Sequence, residues 1–247
     1  MGVLSGYAGR VAYRQMDPTV LDEAIRVVAG VHQEFGRLDG ILHCAGLMLV
    51  DHAIPAKSGE EFLRVLAPKV AGAFNLDEAS RDVDLDFFVL FSSVSGVLGN
   101  ARTVDYAAAN AFLDGFAAHR NRLAAANRRH GRTRSFDWPL WEAGGMGIER
   151  SWEQALQANT GMRAMRTTTG LRAFDRGLHL PVDQLLVVEG DRDEIRSYLR
   201  KARILDGSAP AATAPPDRRV EPLPAGRSPM EPPGGLEQRQ EELKALL

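Results

Sequence analysis

The sequence has almost no cysteine: Cys44 is the only one in 247 residues, so no disulfide can form within the chain. A chain without internal disulfides fits a reducing compartment, and we expect a cytoplasmic location. The six histidines and the cysteine show no metal-ligand spacing, which predicts no metal site. Cys44 follows His43 on an apolar run, and we expect it to be a core residue rather than a nucleophile.

Strong charge and long apolar runs are also lacking. The net charge is −2 and the isoelectric point is near 6.3, which argues against a nucleic-acid partner. No apolar run is long enough to cross a bilayer and no signal peptide is recognisable, so we expect no membrane partner. A basic stretch at 121–134 is interpreted as a helix end, where cations suit the helix dipole, with a phosphate-binding patch as the alternative.

What is present is an alternation of helical and strand patterns, which predicts an α/β fold with a parallel sheet. Ser58 and Glu61 form a capping box that starts a helix, and Pro68 is expected to bend it. Asp191 is predicted to cap the last helix of this region. The predicted helices cover 18–35, 58–76, 105–122, 167–178 and 191–205, and the predicted strands cover 11–15, 40–46, 86–93, 132–138 and 184–190.

Four polar residues occur where such a sheet can form a catalytic site. Ser93 ends the apolar run 86–93, and ligands bind outside the carboxyl ends of strands in open α/β sheets. Tyr106 and Asn110 are four apart on the next helix, so they share one face. Each residue alone also has an ordinary interpretation: Ser93 in a turn, Tyr106 in core packing, Lys69 in solvent and Asn110 exposed on its helix.

The order of these residues resembles the short-chain dehydrogenase/reductase superfamily, and specifically the ketoreductase domains of modular polyketide synthases. The superfamily places a lysine four residues after the tyrosine, whereas here Asn110 stands there and the lysine is Lys69. This exchange is a feature of the polyketide ketoreductases. The resemblance covers 8–202, and its further matching runs are GRLDGILHCAG, FSSVSGVLGN, YAAANAFLDGFA and FDWPLWEAGGMG, with WPLWEAGGMG and 151–165 resembling the substrate lid.

The resemblance implies a Rossmann-like doubly wound parallel sheet and NADPH-dependent reduction of a β-ketoacyl thioester carried on an acyl carrier protein. Tyr106 would donate the proton and Ser93 would orient the ketone. Lys69 with Asn110 would tune the pKa of Tyr106 and relay a proton to it. We expect the Lys69 ammonium to lower the Tyr106 pKa from its usual value of about 10. The residues expected to line the cofactor are Asp17 near the adenine and Ala45, Gly46 and Pro139 on the nicotinamide side.

A glycine-rich turn of the form G-x-G-x-x-G is absent from the chain. In dinucleotide-binding folds that turn joins the first strand to the helix that cradles the pyrophosphate. By the resemblance, the chain begins near the third strand of the family's sheet, at 11–15, and lacks the first two strands. The strand at 11–15 would then have no neighbour, and the edge of the strand at 40–46 would be open. Three explanations remain: another polypeptide supplies the missing half, the chain is a fragment of a longer synthase, or the remnant is inactive.

The composition changes after Leu205, since 8 of the 13 prolines lie between Pro210 and Pro233. We therefore divide the chain into a partial ketoreductase domain at 1–205, a disordered Pro/Ala-rich linker at 206–234 and a terminal helix at 235–247. The terminal helix resembles the opening of an acyl carrier protein domain. A solvated helix or a docking segment is the alternative on so few residues.

Two other functions fit the sequence. A non-catalytic structural module, either a remnant or a split half, is favoured by the missing glycine-rich turn and opposed by the intact catalytic set. A short-chain reductase of free small molecules is opposed by the Lys69/Asn110 exchange. The resemblance also favours the B-type class with a D-configured hydroxyl, because Leu98 replaces the tryptophan of the other type and Asp51 lies near the aspartate of this one.

Overall fold

The computed structural model describes residues 11–49, 57–100, 103–143, 150–202 and 204–205. The predictions made for Asp51, for the linker at 206–234 and for the terminal helix at 235–247 lie outside these residues. The chain divides into two units, Met1–Ala202 and Arg203–Leu247. Every helix and strand described below belongs to the first unit.

Four strands form one sheet in the order β1-β2-β3-β4, and each neighbouring pair is parallel. They are β1 (Gly40–His43), β2 (Phe87–Ser93), β3 (Arg132–Trp138) and β4 (Gln184–Leu186). Helices connect successive strands, as parallel pairing requires. The predicted α/β fold with a parallel sheet is therefore confirmed.

The described helices are α1 (Leu21–Phe35), α2 (Gly59–Ala79), α3 (Val94–Leu98), α4 (Val104–Ala125), α5 (Arg150–Thr160), α6 (Thr167–His179) and α7 (Arg192–Lys201). Ser58 caps α2 in a complete capping box with Glu61, and α2 continues through Pro68 for 21 residues in all. Asp191 caps α7 by accepting from the backbone N–H groups of residues 193 and 194. Both predicted caps are confirmed. None of these helices is long and apolar enough to span a membrane.

Helices cover both faces of the sheet. On one face, Phe88 and Leu90 of β2 pack against Ala73 of α2 and against Leu113 and Phe116 of α4. On the other face, Val89 and the fully buried Phe136 of β3 pack against Phe174 of α6. Burial of these alternating side chains explains why 86–93 has the continuous apolar pattern of a strand covered on both sides. The doubly wound arrangement is confirmed.

Residues 11–15 form no strand, so the predicted third strand is wrong. Val11 and Tyr13 are 57% and 72% exposed. A strand needs a neighbour for its backbone hydrogen bonds, and the described sheet ends at β1. Leu42 of β1 is 50% exposed, because no described helix covers its side of the sheet there. Cys44, two residues further on, is exposed too, so its predicted place in the core is wrong.

The basic stretch at 121–134 spans the end of α4 and the start of β3, as the helix-end interpretation predicted. Its arginines are not all solvated, because Arg129 and Arg134 are each only 8% exposed. Arg129 donates to Asp77 at 2.8 Å, and Arg134 donates to the carbonyl of Leu180 at 3.2 Å. Arg129 is thereby tied to α2 and Arg134 to the C-cap residue of α6, so these two guanidinium groups are largely withdrawn from solvent.

Candidate active site

Ser93 lies where β2 turns into α3. It is the last residue of β2 and the N-cap of α3, and its hydroxyl accepts from the backbone N–H of Ser95 at 3.2 Å. A Cβ on Gly96 would meet the backbone nitrogen of Ala111 at 2.9 Å. Because glycine has no Cβ, α3 can pack directly on α4. This close approach brings Ser93 beside the helix that carries Tyr106.

Tyr106 and Asn110 lie on the first turns of α4 and are buried, with 7% and 0% exposure. The Asn110 side-chain nitrogen donates to the Tyr106 backbone carbonyl at 2.7 Å, and the Asn110 backbone carbonyl accepts from the Ser92 hydroxyl at 3.1 Å. The Asn110 side-chain oxygen has no partner among the described residues. A buried acceptor without a partner is costly, so this oxygen is open to a ligand or an ordered water.

Lys69 is buried on α2, with 4% exposure, which excludes the solvated interpretation. Its Nζ donates to the Phe91 carbonyl at 2.7 Å and lies 5.9 Å from the centroid of the Tyr106 ring. Burial lowers the pKa of Lys69 to about 8, although the charges of Cys44 and Asp114 oppose that shift. An amine with such a pKa can hold or release a proton close to neutral pH.

The expected lowering of the Tyr106 pKa is wrong for this structure. Burial is the largest influence and raises the pKa of the Tyr106 phenol, while hydrogen bonding to Ser93 and Asn110 opposes it. Desolvation of the phenolate in the buried site outweighs the attraction of the nearby ammonium. Tyr106 is therefore held in its protonated form, which is the form a proton donor needs.

The residues predicted to line the nicotinamide follow two strands that flank β2. Ala45 and Gly46 lie in the loop after β1, beyond Cys44, and Pro139 follows β3 and is buried. A Cβ on Gly46 would lie 3.0 Å from Cε of Lys69, so glycine lets this loop pack on the lysine. Asp17 lies in the exposed turn before α1 and accepts from the backbone and hydroxyl of Thr19 at 2.9 and 2.8 Å.

Sequence reasoning missed a pair of carboxyl groups behind the site. Asp137 of β3 is fully buried and accepts from the Gln184 amide at 2.8 Å. Burial and then the neighbouring Asp114 raise the pKa of Asp137 to about 8. Asp114 accepts from the Ser135 hydroxyl at 2.6 Å. One signal was available, because Asp114 stands four residues after Asn110 and so shares its face of α4.

No group of three or more His, Cys, Asp or Glu side chains in the described ranges is arranged to hold a metal ion. The chemistry available at the carboxyl ends of the strands is that of a phenol, an amine, a hydroxyl and an amide. This set lies at the sheet edge where open α/β folds bind nucleotides, and it is the set that the resemblance to short-chain dehydrogenases/reductases predicted. The chain matches the KR domain family over residues 3–143, and it belongs to that family of ketoreductase domains.

Its curated relatives are much longer polyketide synthases. PksN of Bacillus subtilis (strain 168) is 44% identical over 196 residues, which are 79% of this chain and 4% of PksN. ThaG of Burkholderia thailandensis is 36% identical over 213 residues, which are 86% of this chain and 4% of ThaG. The resemblance to polyketide ketoreductases inferred from the sequence is confirmed.

Solved ketoreductases share the fold. A ketoreductase domain from the bacillaene assembly line is 43% identical with a TM-score of 0.77, covering 80% of this chain and 47% of that one. An N-terminal ketoreductase from the macrolactin assembly line is 38% identical with a TM-score of 0.71, covering 80% of this chain and 38% of that one. A structure of ElxO with bound NADP, 16% identical at a TM-score of 0.63, shows likeness of fold alone. The chain thus spans less than half of the solved ketoreductases.

Proposed function

We propose that this chain carries the catalytic half of a ketoreductase that reduces a β-ketoacyl thioester to the β-hydroxyacyl thioester. The observation that supports this most is the burial of Lys69 and Tyr106 together, with the lysine Nζ 5.9 Å from the tyrosine ring. Burying an ammonium without a carboxylate partner is costly, and perturbed groups of this kind cluster at functional sites. A purely structural module gains nothing from this arrangement.

The proton would come from Tyr106. The phenol is protonated at neutral pH and would donate as negative charge develops on the ketone oxygen, although burial raises its pKa and makes it a weaker acid. The hydroxyl of Ser93 would donate a second hydrogen bond to the same oxygen. Lys69, with its pKa lowered to about 8, would return a proton to the phenol, and Asn110 would orient the lysine or an ordered water.

The residues at the carboxyl ends of the strands fit a nicotinamide cofactor. Asn110 presents a buried oxygen without a partner among the described residues, and Gly46 leaves backbone exposed beside Lys69. When bound, the cofactor would supply the hydride, which no side chain can. Ala45, Gly46 and Pro139 would hold its nicotinamide end, and Asp17 would lie near its adenine.

The choice of NADPH and of a carrier-bound substrate is supported by the family. The relatives are named polyketide synthases, in which other domains and an acyl carrier protein are the expected partners of a ketoreductase. The B-type product configuration stays a prediction, with Leu98 at the end of α3 as its described residue.

A second candidate role follows from the open edge of the sheet. Leu42 of β1 and Cys44, which follows the strand, are exposed and are not covered by any described helix. An exposed apolar strand edge is normally paired or covered. In this role, the chain is one half of a split or non-catalytic reductase, and the pyrophosphate cradle comes from a segment outside these 247 residues.

The test uses the chain extended at its start by the first two strands and glycine-rich turn of a related ketoreductase. NADPH consumption is followed with a β-ketoacyl thioester of a small thiol as substrate. Tyr106→Phe is expected to lower kcat by about 10²- to 10⁴-fold, because it removes the proton donor. Tyr198→Phe, which removes a phenol from α7, is the matched control and is expected to leave the rate unchanged.

Two outcomes oppose the proposal. If the extended chain folds and binds NADPH but consumes none with any β-ketoacyl thioester, the structural role is correct. If Tyr106→Phe reduces the thioester as fast as Tyr198→Phe does, Tyr106 is not the proton donor. NADH in place of NADPH tests the cofactor preference in the same assay.

A further inference from the structure

A second buried charge pair lies next to the catalytic tyrosine and is not used by the chemistry above. Lys57 and Asp105 have side chains that are 5% and 0% exposed, and the lysine Nζ lies 2.6 Å from the Asp105 Oδ2. Asp105 directly precedes Tyr106 in α4, and Lys57 directly precedes the cap of α2. No short-range sequence pattern links these two residues, because they are 48 positions apart.

The pair connects three segments of the site. Besides Asp105, the Lys57 Nζ donates to the carbonyl of Leu49 at 2.9 Å. The other carboxylate oxygen of Asp105 accepts from the backbone N–H of Tyr106 at 2.9 Å. The loop after β1, the start of α2 and the first turn of α4 therefore meet at one ion pair. Gly46, on the same loop, packs on Lys69, so both catalytic helices contact this loop.

Stability alone is a poor reason for such a pair. Removing two charges from water costs nearly as much as their attraction returns, and a well-packed apolar pair often stabilises a core equally well. An ion pair instead fixes the relative position of the segments that carry it. Here the Lys57 ammonium must stay within hydrogen-bonding distance of both the Leu49 carbonyl and the Asp105 carboxylate. The negative charge also suits the N-terminal end of α4, where backbone N–H groups lack partners.

We propose that Lys57 and Asp105 are positioning residues, which hold the backbone of Tyr106 in register with the loop that follows β1. This inference rests on the proposed reductase function, in which that loop lines the nicotinamide and Tyr106 donates the proton. Reacting groups must be aligned closely, and a displacement of about 1 Å can cost about 10²-fold in rate. The pair acts through Tyr106 and does not touch the reacting atoms.

The first test needs no cofactor and uses the full 247-residue chain with its four tyrosines labelled with ¹³C at Cζ. The Tyr106 signal is assigned by its loss in Tyr106→Phe. Lys57→Met and Asp105→Asn are each expected to shift this signal and its titration midpoint. The control is Arg132→Met, which breaks an exposed ion pair with Asp183; the two side chains are 42% and 40% exposed, respectively. This variant is expected to leave the Tyr106 signal in place.

The second test measures kinetics in the extended chain. Each single variant is expected to lower kcat by about 10²-fold while the KM for the thioester changes less than about twofold, since alignment rather than substrate binding is lost. The double variant is expected to be no slower than either single one, because the two residues act as a unit.

The results separate this inference from the proposed function. An inactive extended chain overturns the function, but a moved Tyr106 signal in Lys57→Met would still support the positioning role. The inference is overturned if both variants only lower the unfolding midpoint while the Tyr106 signal and kcat stay unchanged. In that case the pair merely stabilises the fold.

Discussion

Two buried clusters contain charge at opposite ends of the sheet, and they differ in how well their polar groups are satisfied. In the arginine cluster (Asp77, Arg120 and Arg129), near the start of β3, both arginines donate to Asp77 at 2.8 Å. Arg120 also donates to the Thr133 hydroxyl at 3.0 Å and to the carbonyls of residues 130 and 131. Its guanidinium stacks 4.6 Å from the centroid of Phe88. The charged groups of this cluster are thus hydrogen-bonded to one another or to neighbouring backbone, as buried polar groups in a stable core normally are.

The proposed catalytic cluster (Lys69, Ser93, Tyr106 and Asn110), at the carboxyl ends of the strands, is less complete. Lys69 is buried without a carboxylate in the described hydrogen bonds, and its pKa is lowered to about 8. The Asn110 oxygen has no partner in the described part of the chain. The complete cluster supports the fold, whereas the incomplete one leaves polar groups available for a ligand and for proton transfer.

The largest effect is expected for Lys69→Met, which removes the buried amine but keeps its apolar stem. In the extended chain we expect kcat to fall by about 10³-fold, since proton transfer alone contributes 10²- to 10⁴-fold. We expect the unfolding midpoint to stay level or rise, because the cost of burying the ammonium disappears. A midpoint that falls sharply while activity survives would show that Lys69 belongs to the fold and not to the reaction.

The next largest effect is expected for Arg120→Met, the counterpart in the arginine cluster. The free energy of unfolding, measured with urea, should fall by about 3 kcal/mol, because removing one partner leaves buried acceptors unpaired. The kcat of the folded enzyme should stay within about twofold of the unchanged chain. Loss of kcat without loss of stability would contradict the division of roles between the two ends of the sheet.

The last effect, expected for Asp137→Asn, is on stability and not on the reaction, and it depends on pH. The pKa of Asp137 in the fold is about 8, above its usual 3.8, so the folded chain keeps a proton that the unfolded chain releases. Stability attached to that proton is present at low pH and is lost as the pH rises through about 8. Asparagine needs no proton to donate to Asp114, so we expect Asp137→Asn to be the more stable protein at pH 8.

The unfolding midpoints of Asp137→Asn and the unchanged chain at pH 5 and pH 8 measure this effect. The difference between the two proteins should be larger at pH 8. Equal differences at both values would mean that Asp137 does not titrate in this range.

Local patterns predicted much of the fold. The strand at 86–93 needed only a continuous apolar run, and the caps at Ser58 and Asp191 needed only residues close in sequence. The four-residue spacing of Tyr106 and Asn110 placed both on one buried face of α4. These features depend on short-range geometry, which a single sequence contains.

Features that depend on distant parts of the chain were not predictable. Residues 11–15 have strand composition but no neighbouring strand, and Cys44 is exposed because no described helix covers its side of β1. The raised pKa of Tyr106 reflects burial, which the sequence does not give. Lys57 and Asp105 meet only after α2 and α4 pack together.

We propose that these residues form a reductase site that needs a pyrophosphate cradle supplied by another segment. The most direct test titrates the chain and the extended chain with NADPH, following nicotinamide fluorescence, and repeats the extended titration with Tyr106→Phe. We predict saturable binding by the extended chain and by its Tyr106→Phe variant, thioester reduction by the former alone, and no binding by the unextended chain. Tight binding by the unextended chain, or reduction that survives Tyr106→Phe, would contradict the account.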